Sequence, residues 1–316
     1  MIDFRYHIVS IVAIFFALGA GVVLGAGPLK GTSSEIVASQ AEKDRQQLAD
    51  ARAELVQVKA LDKYRDDYVA KVTAGLTDGK LTNKKITLVT MPNADSDLSD
   101  GVQAELEKAG GTVSTKVSLD GKLFDNGQRQ LVETLVQQLV TADMADFPKD
   151  STTYQRAGLL LARGVAAKEE GKTADADSTK VISGLTGAKL MSLKPSQVKD
   201  RSSLIVVIAA KPPSQVPDNT SFTDSVDFIK GLDLGSGGVV VAGTPDSAGD
   251  GGLLKALRSD SDATKIVSSV DVADLPSGQM TVVFALAEQL TGKAGQYGAV
   301  NAKNGVAPSA VQTKDN

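Results

Sequence analysis

The sequence predicts an α/β protein built in three stages: an N-terminal transmembrane helix, a long coiled-coil helix, then a Rossmann-like open sheet domain with mainly parallel strands. Three observations carry this. An uncharged run, IVSIVAIFFALGAGVVLGAGPL, fills residues 8–29; an apolar row at alternating steps of four and three succeeds it to Val72; and short apolar runs of strand length then alternate with amphipathic segments across residues 84–298.

Residues 1–7 form a short tail. A hydrocarbon core of about 30 Å needs roughly 20 apolar residues at about 1.5 Å each, and Ile8 to Gly27 supplies them before Pro28 ends the helix. The run is read as an uncleaved anchor occupying 8–29. A cleaved signal peptide is the competing reading, because Gly25-Ala26-Gly27 offers small residues to a peptidase. Signal h-regions usually run about 7–15 residues behind a basic n-region, however, and only Arg5 and His7 precede this longer run. Ala17, Gly21 and Gly25 recur every four residues, leaving one helix face bare enough for close approach by another membrane helix. Arg5 lies before the span and Lys30, Lys43 and Arg45 lie after it, so positive charge does not set the orientation. A seven-residue tail is easier to retain in the cytoplasm than a large domain, which places the domain in the cell envelope.

Residues 32–73 read as a coiled coil. Thr32 and Glu35 have capping-box spacing. Val37, Ala41, Asp44, Leu48, Ala51, Leu55, Val58, Asp62, Arg65, Val69 and Val72 then trace a seam in which eight of eleven positions are apolar. Asp44, and Asp62 with Arg65, weaken the seam or set its register and partner. The alternative is a single amphipathic helix lying on its own domain. Ala74-Gly75 and Asp78-Gly79 stop the helix and open a linker to about Asn83.

In the domain at 84–298, Ile86–Met91 reads as a strand, Ser96–Ala109 as a helix and Gly111–Leu119 as a strand, together a βαβ unit. Gln128–Thr141 is a strongly amphipathic helix through Leu131, Leu135 and Leu139. Further helices are expected near Thr153–Lys168 and Thr179–Gly187, with the stretch GKTADADS as a loop between them. Leu204–Ala210, Gly238–Gly243 and Ile266–Val270 have the continuous apolar character of buried parallel strands. Helices near Phe222–Leu232 and Gly252–Ser259 separate them, and Gly278–Thr291 is the last helix. Residues 299–316, poor in large apolar residues, read as a disordered tail.

Composition narrows the function. The chain of 316 residues has 42% hydrophobic and 23% charged residues, enough for a real core beyond the anchor. A net charge of −4 without a basic stripe excludes nucleic acid as a main partner. Cysteine is absent, so neither disulfides nor a thiolate site exist. The only histidine, His7, sits at the membrane edge, which removes a Ser-His-Asp device from the domain. No catalytic residue, metal site or cofactor is assigned, and a non-enzymatic protein is expected.

Ligands of an open α/β sheet bind past the carboxyl ends of its strands. Past the first strand, Asp95, Asp97 and Asp100 could gather a hard cation, although N-capping explains them as well. The TPDSAGDGG loop, with Asp246 and Asp250, is glycine-rich and opens a helix as an anion site would, yet lacks the Lys-Ser/Thr ending of a P-loop. Gly235-Ser236-Gly237-Gly238 precedes a strand instead of a helix and is not a dinucleotide fingerprint.

Several passages together resemble one family: FRYHIVSIVAIFFALGAGVVLGAGPL, the coiled-coil segment behind it, ITLVTMP, GGVVVAGTPDSAGDGGLLKALR and VVFALAEQLTGKAGQYG. They are similar to the actinobacterial MctB family, labelled copper transporter, with corynebacterial SteB-like members that act in cell separation. The resemblance spans nearly the whole chain. It implies an envelope protein whose bulk lies outside the cytoplasmic membrane, with a SteA-like membrane protein as partner and an influence on cell-wall hydrolysis; a homodimer or a hetero-oligomer both remain open. The copper label is harder to meet from the residues. Copper(I) takes thiolate or thioether and copper(II) imidazole, whereas the five methionines, Met1, Met91, Met144, Met191 and Met280, are isolated in sequence. One uncharged span does not line a pore by itself. The expected function is therefore a scaffold pairing through its coiled coil, with copper transport or a ligand-binding α/β domain as alternatives.

Overall fold

The structure, a computed structural model, describes residues 4–26, 29–140, 150–212 and 222–309. The chain divides into two compact units, Met1–Arg65 and Asp66–Asn316.

The N-terminal unit is helical. Helix α1 (Phe4–Ala26) contains the uncharged run, and His7–Gly25 is long and apolar enough to cross a membrane, with none of it covered by protein. Gly27 and Pro28 lie outside the described residues. Helix α2 runs from Leu29 to Thr77, 49 residues. It begins ahead of Thr32, so Thr32 is a helix-interior residue and not an N-cap. It also runs through Gly75, at a propensity cost of about 1 kcal/mol, because its last turns are held elsewhere. Within the second unit, Thr73 donates to the Val69 carbonyl at 2.6 Å, and Thr77 contacts both the Thr73 carbonyl (3.0 Å) and the buried Glu105 carboxylate (3.2 Å). The helix stops at Asp78-Gly79, where Gly79 takes φ +71°. The segment expected to be a linker is a packed turn, since Leu81 is fully buried and donates its amide to the Ala109 carbonyl.

The second unit is a seven-stranded sheet in the order β3-β2-β1-β4-β5-β6-β7, composed of β1 (Lys85–Thr90), β2 (Thr112–Leu119), β3 (Met191–Lys194), β4 (Leu204–Ile208), β5 (Val239–Ala242), β6 (Ser268–Val270) and β7 (Gln296–Tyr297). Every neighbouring pair is parallel except β2 and β3. The central strands β4 and β5 are buried at every residue, because helices cover both faces, and this produces the unbroken apolar runs of their sequence. Val89, Ile205, Val207, Val239 and Val241 point to one core, with α4 (Arg129–Leu139), α5 (Thr153–Val165), α6 (Ala176–Gly187), α7 (Thr223–Leu234) and α8 (Leu253–Ser259). Leu88, Leu204, Val206, Ile208 and Val240 point to the other, under α3 (Ser96–Lys108) and α10 (Pro276–Gln289).

Two devices lock this unit. Helices α5 and α7 cross backbone to backbone: a methyl added at Gly158 would lie 1.9 Å from the Phe228 carbonyl oxygen, and one at Gly231 would lie 2.0 Å from that of Gln155. Beyond the short helix α9 (Ala263–Ile266), Arg258 and Asp271 form a buried pair at 2.6 Å. Arg258 also donates to the carbonyls of Tyr297 and Val300, while Asp271 accepts from the amides of Ala299 (2.7 Å) and Val300 (3.0 Å). The stretch read as the start of a free tail is thus bound to Asp271, just past β6, and to Arg258 of α8, and Pro308 within it is buried.

The differences from expectation are local. Two edge strands of four and two residues, β3 and β7, and the short α9 were not expected from the sequence. Helix α6 begins at Ala176, inside the stretch expected to be loop, because Asp175 and Ser178 close a reciprocal capping box. The strand expected from Ile266 starts at Ser268, since Ala263–Ile266 is helical. The last helix starts two residues earlier than expected, with Pro276 in its first turn, where a missing amide costs nothing. Thr141, the expected end of α4, lies outside the described residues.

Candidate functional site

Two surfaces collect the residues singled out by sequence. The first is the apolar row of α2. Val37 is 68% exposed, Leu48 51%, Leu55 52% and Val58 45%, and Ala41 and Ala51 between them are exposed too. Within the second unit, Val69 is half-buried and Val72 is at the edge of exposure. Asp62 and Arg65, the polar interruptions, pair with each other along the helix at 3.0 Å. Leu61, Tyr64 and Tyr68 are also exposed and lie off the expected seam. On α1, Ala17, Gly21 and Gly25 are exposed, and a methyl added at either glycine would meet nothing within 4 Å.

Burying a Leu or Val side chain stabilises by about 1.5–3 kcal/mol over leaving it in water. A helix presenting four such residues exposed, flanked by charge, is a candidate association surface.

The second surface is the topological switch point between β1 and β4, where the chain order of the sheet reverses. A cleft of about 480 Å³ opens there, lined by Asp95, Asp97, Lys211, Asp246, Asp274 and Gln279. Lys211 Nζ lies 2.5 Å from Asp95 Oδ2. That bond, with the Asp97 amide, holds the Asp95 carboxyl below its ordinary range, and it raises Lys211 in turn. Asp274 is shifted the other way, upward, by partial burial and by Asp246 and Asp271 nearby. The cleft thus gathers four carboxylates around one ammonium.

Of the five acidic residues expected at strand ends, the fold brings Asp95, Asp97 and Asp246 together and sends the other two elsewhere. Asp100 faces Lys116 at 3.5 Å across a neighbouring hollow, and Asp250 pairs with Lys255. Asp95 caps α3, its Oδ1 accepting from the Asp97 amide at 2.9 Å. The glycines that follow Asp250 serve the backbone: Gly251 takes φ +70°, and a methyl on Gly252 would lie 2.1 Å from the Ser247 carbonyl oxygen. Lys211 and Asp274 were not singled out from the sequence. Both stand three to four residues past a parallel strand, so the residues just beyond β4 and β6 carried the signal.

Among the described residues no group of three or more His, Cys, Asp or Glu is arranged to hold a metal ion. Met91 and Met191 are both buried in the core on the α5 side, and Met280 is half-buried on α10. Met1 and Met144 lie outside the described residues.

Compared with known proteins, residues 1–308 match the family model described as copper transport outer membrane protein, MctB. The copper transporter MctB of Mycobacterium tuberculosis (strain H37Rv) is 26% identical over 310 residues, covering 94% of this chain and 96% of that protein. The copper transporter MctB of Mycobacterium leprae is 22% identical over 311 residues, with the same coverage.

Proposed function

The chain belongs to the MctB family, and on that premise we propose that it is a single-pass envelope scaffold whose coiled-coil helix pairs with a SteA-like membrane protein in cell separation, with the α/β domain held outside the cytoplasmic membrane. The observation that carries the reading is the exposed row Val37, Leu48, Leu55 and Val58 on α2, directly behind one apolar helix of membrane-spanning length. Two helices sharing this row would each bury four large side chains. The domain's glycine-locked, helix-covered sheet suits recognition or spacing more than chemistry.

Substituting glutamate for Leu48 and Leu55 should abolish co-purification of the membrane partner while the domain stays folded; unchanged association would sink the proposal. Protease accessibility of a tag placed after Asn316 in intact cells tests the orientation.

The family's name favours a second reading, copper transport. It requires that purified protein in liposomes passes copper above an empty-vesicle control. Copper(I) prefers clustered thioether or thiolate, and Met91 and Met191 are committed to the core, so an indirect effect on copper tolerance through an altered envelope fits the residues better.

A further inference from the structure

The coiled-coil reading leaves the partner's chemistry open, and the flanks of the seam restrict it. With Ala41, Leu48 and Leu55 at the first core position of three successive heptads and Asp44, Ala51 and Val58 at the second, the residue after the second core position is Arg45, Arg52 and Lys59 in turn. The residue before the first core position is Gln40, Gln47 and Glu54. Over these three heptads one flank is cationic in every repeat and the other holds a single acid, whereas the cationic flank carries Ala38 before them and Asp66 after them.

In a parallel pair each residue of the first flank faces the partner's opposite flank, and these contacts set partner choice and orientation. A second copy of this chain would place Arg45 against Gln40, Arg52 against Gln47, and only Lys59 against an acid, Glu54. An antiparallel second copy would face cation to cation. Self-pairing in parallel also sets Asp44 against Asp44 inside the seam, a like-charge contact that costs affinity when desolvated. The three cations are available for a partner: Arg45 is 80% exposed with only Glu42, at 3.8 Å, near it, and Arg52 and Lys59 are exposed with no ion pair among the described residues.

We infer that α2 selects a parallel helix other than its own copy, one with acidic residues in three successive heptads opposite Arg45, Arg52 and Lys59. The inference rests on the coiled-coil function proposed above. A partner tethered in the same membrane would run parallel and bring its acids to matching heights.

The test uses the full chain in detergent, carrying Ala51→Cys at the seam, with two distinguishable tags. One mixture combines this chain with itself. The other combines it with a copy that also carries Gln40→Glu and Gln47→Glu, which supplies the acidic flank. Two added charge pairs should raise the disulfide-linked yield about fivefold at low salt, and 1 M salt should erase the gain. Equal yields in the two mixtures would overturn the charge selection while leaving the coiled coil standing. No linked product in either would overturn the inference as well, since the supplied acids would not recruit the helix, while co-purification with Leu48→Glu and Leu55→Glu decides the coiled coil separately.

Discussion

Helix α2 and the sheet domain carry the same kinds of apolar side chain under opposite conditions. In the domain, Leu88, Ile205, Val206 and Val240 have no contact with water; on α2, Leu48, Leu55 and Val58 are about half exposed. The domain closes its own core on both sheet faces. Among the described residues the N-terminal unit leaves its large apolar side chains exposed, and in the function proposed above α1 meets lipid and α2 another helix. The difference separates residues that specify structure from residues left over for association.

The largest effects are expected on the domain side of this contrast. Replacing Gly231 with leucine drives a side chain into the Gln155 carbonyl where α5 and α7 touch, and should destabilise the domain by more than about 3 kcal/mol in a urea titration. Helical signal from α2 should survive if the two regions are independent. Arg258→Met comes next, because it leaves Asp271 buried without its counter-charge. A loss of about 3–5 kcal/mol is expected, with earlier proteolysis of residues 299–309.

A smaller and pH-dependent effect belongs to Asp233, near the end of α7, whose carboxyl burial pushes up to about 7 against the opposing influence of Lys168. Between its ordinary value near 3.8 and about 7 the folded state keeps this proton and the unfolded state releases it. Stability therefore falls as pH rises through that window and levels off above it. Asp233→Asn should raise the melting temperature by a few degrees at pH 8 and leave it unchanged at pH 4. The smallest effect on stability belongs to the seam: Leu48→Glu with Leu55→Glu should shift the domain's melting midpoint by about 1 °C or less, although it removes association.

The same contrast explains what was legible in the sequence. The anchor, α2 and the buried strands β1, β4 and β5 announce themselves because periodicity or an unbroken apolar run is imposed over many residues. Strands β3 and β7 are too short and too polar to do so; Gln296 enters the sheet because its side chain bonds Ser269 and the Val267 carbonyl, which only the folded neighbours supply. Helix α2 outran its expected end at Val72 because Thr77 found Glu105, a partner 28 residues away. At the cleft, Asp95, Asp97 and Asp246 were visible as acids in strand-end loops. Their convergence with Lys211 and Asp274 depends on the strand order, which no local pattern contains.

Crosslinking in intact cells from single cysteines on α2 tests most directly that the exposed row is an interface. Ala51 and Val58 lie on the seam, and Ala53 lies on the opposite side of the helix. An interface at the seam predicts that Ala51→Cys and Val58→Cys each link the chain to a second polypeptide of the membrane while Ala53→Cys does not. Equal linking from all three, or none from the two seam positions, would contradict it.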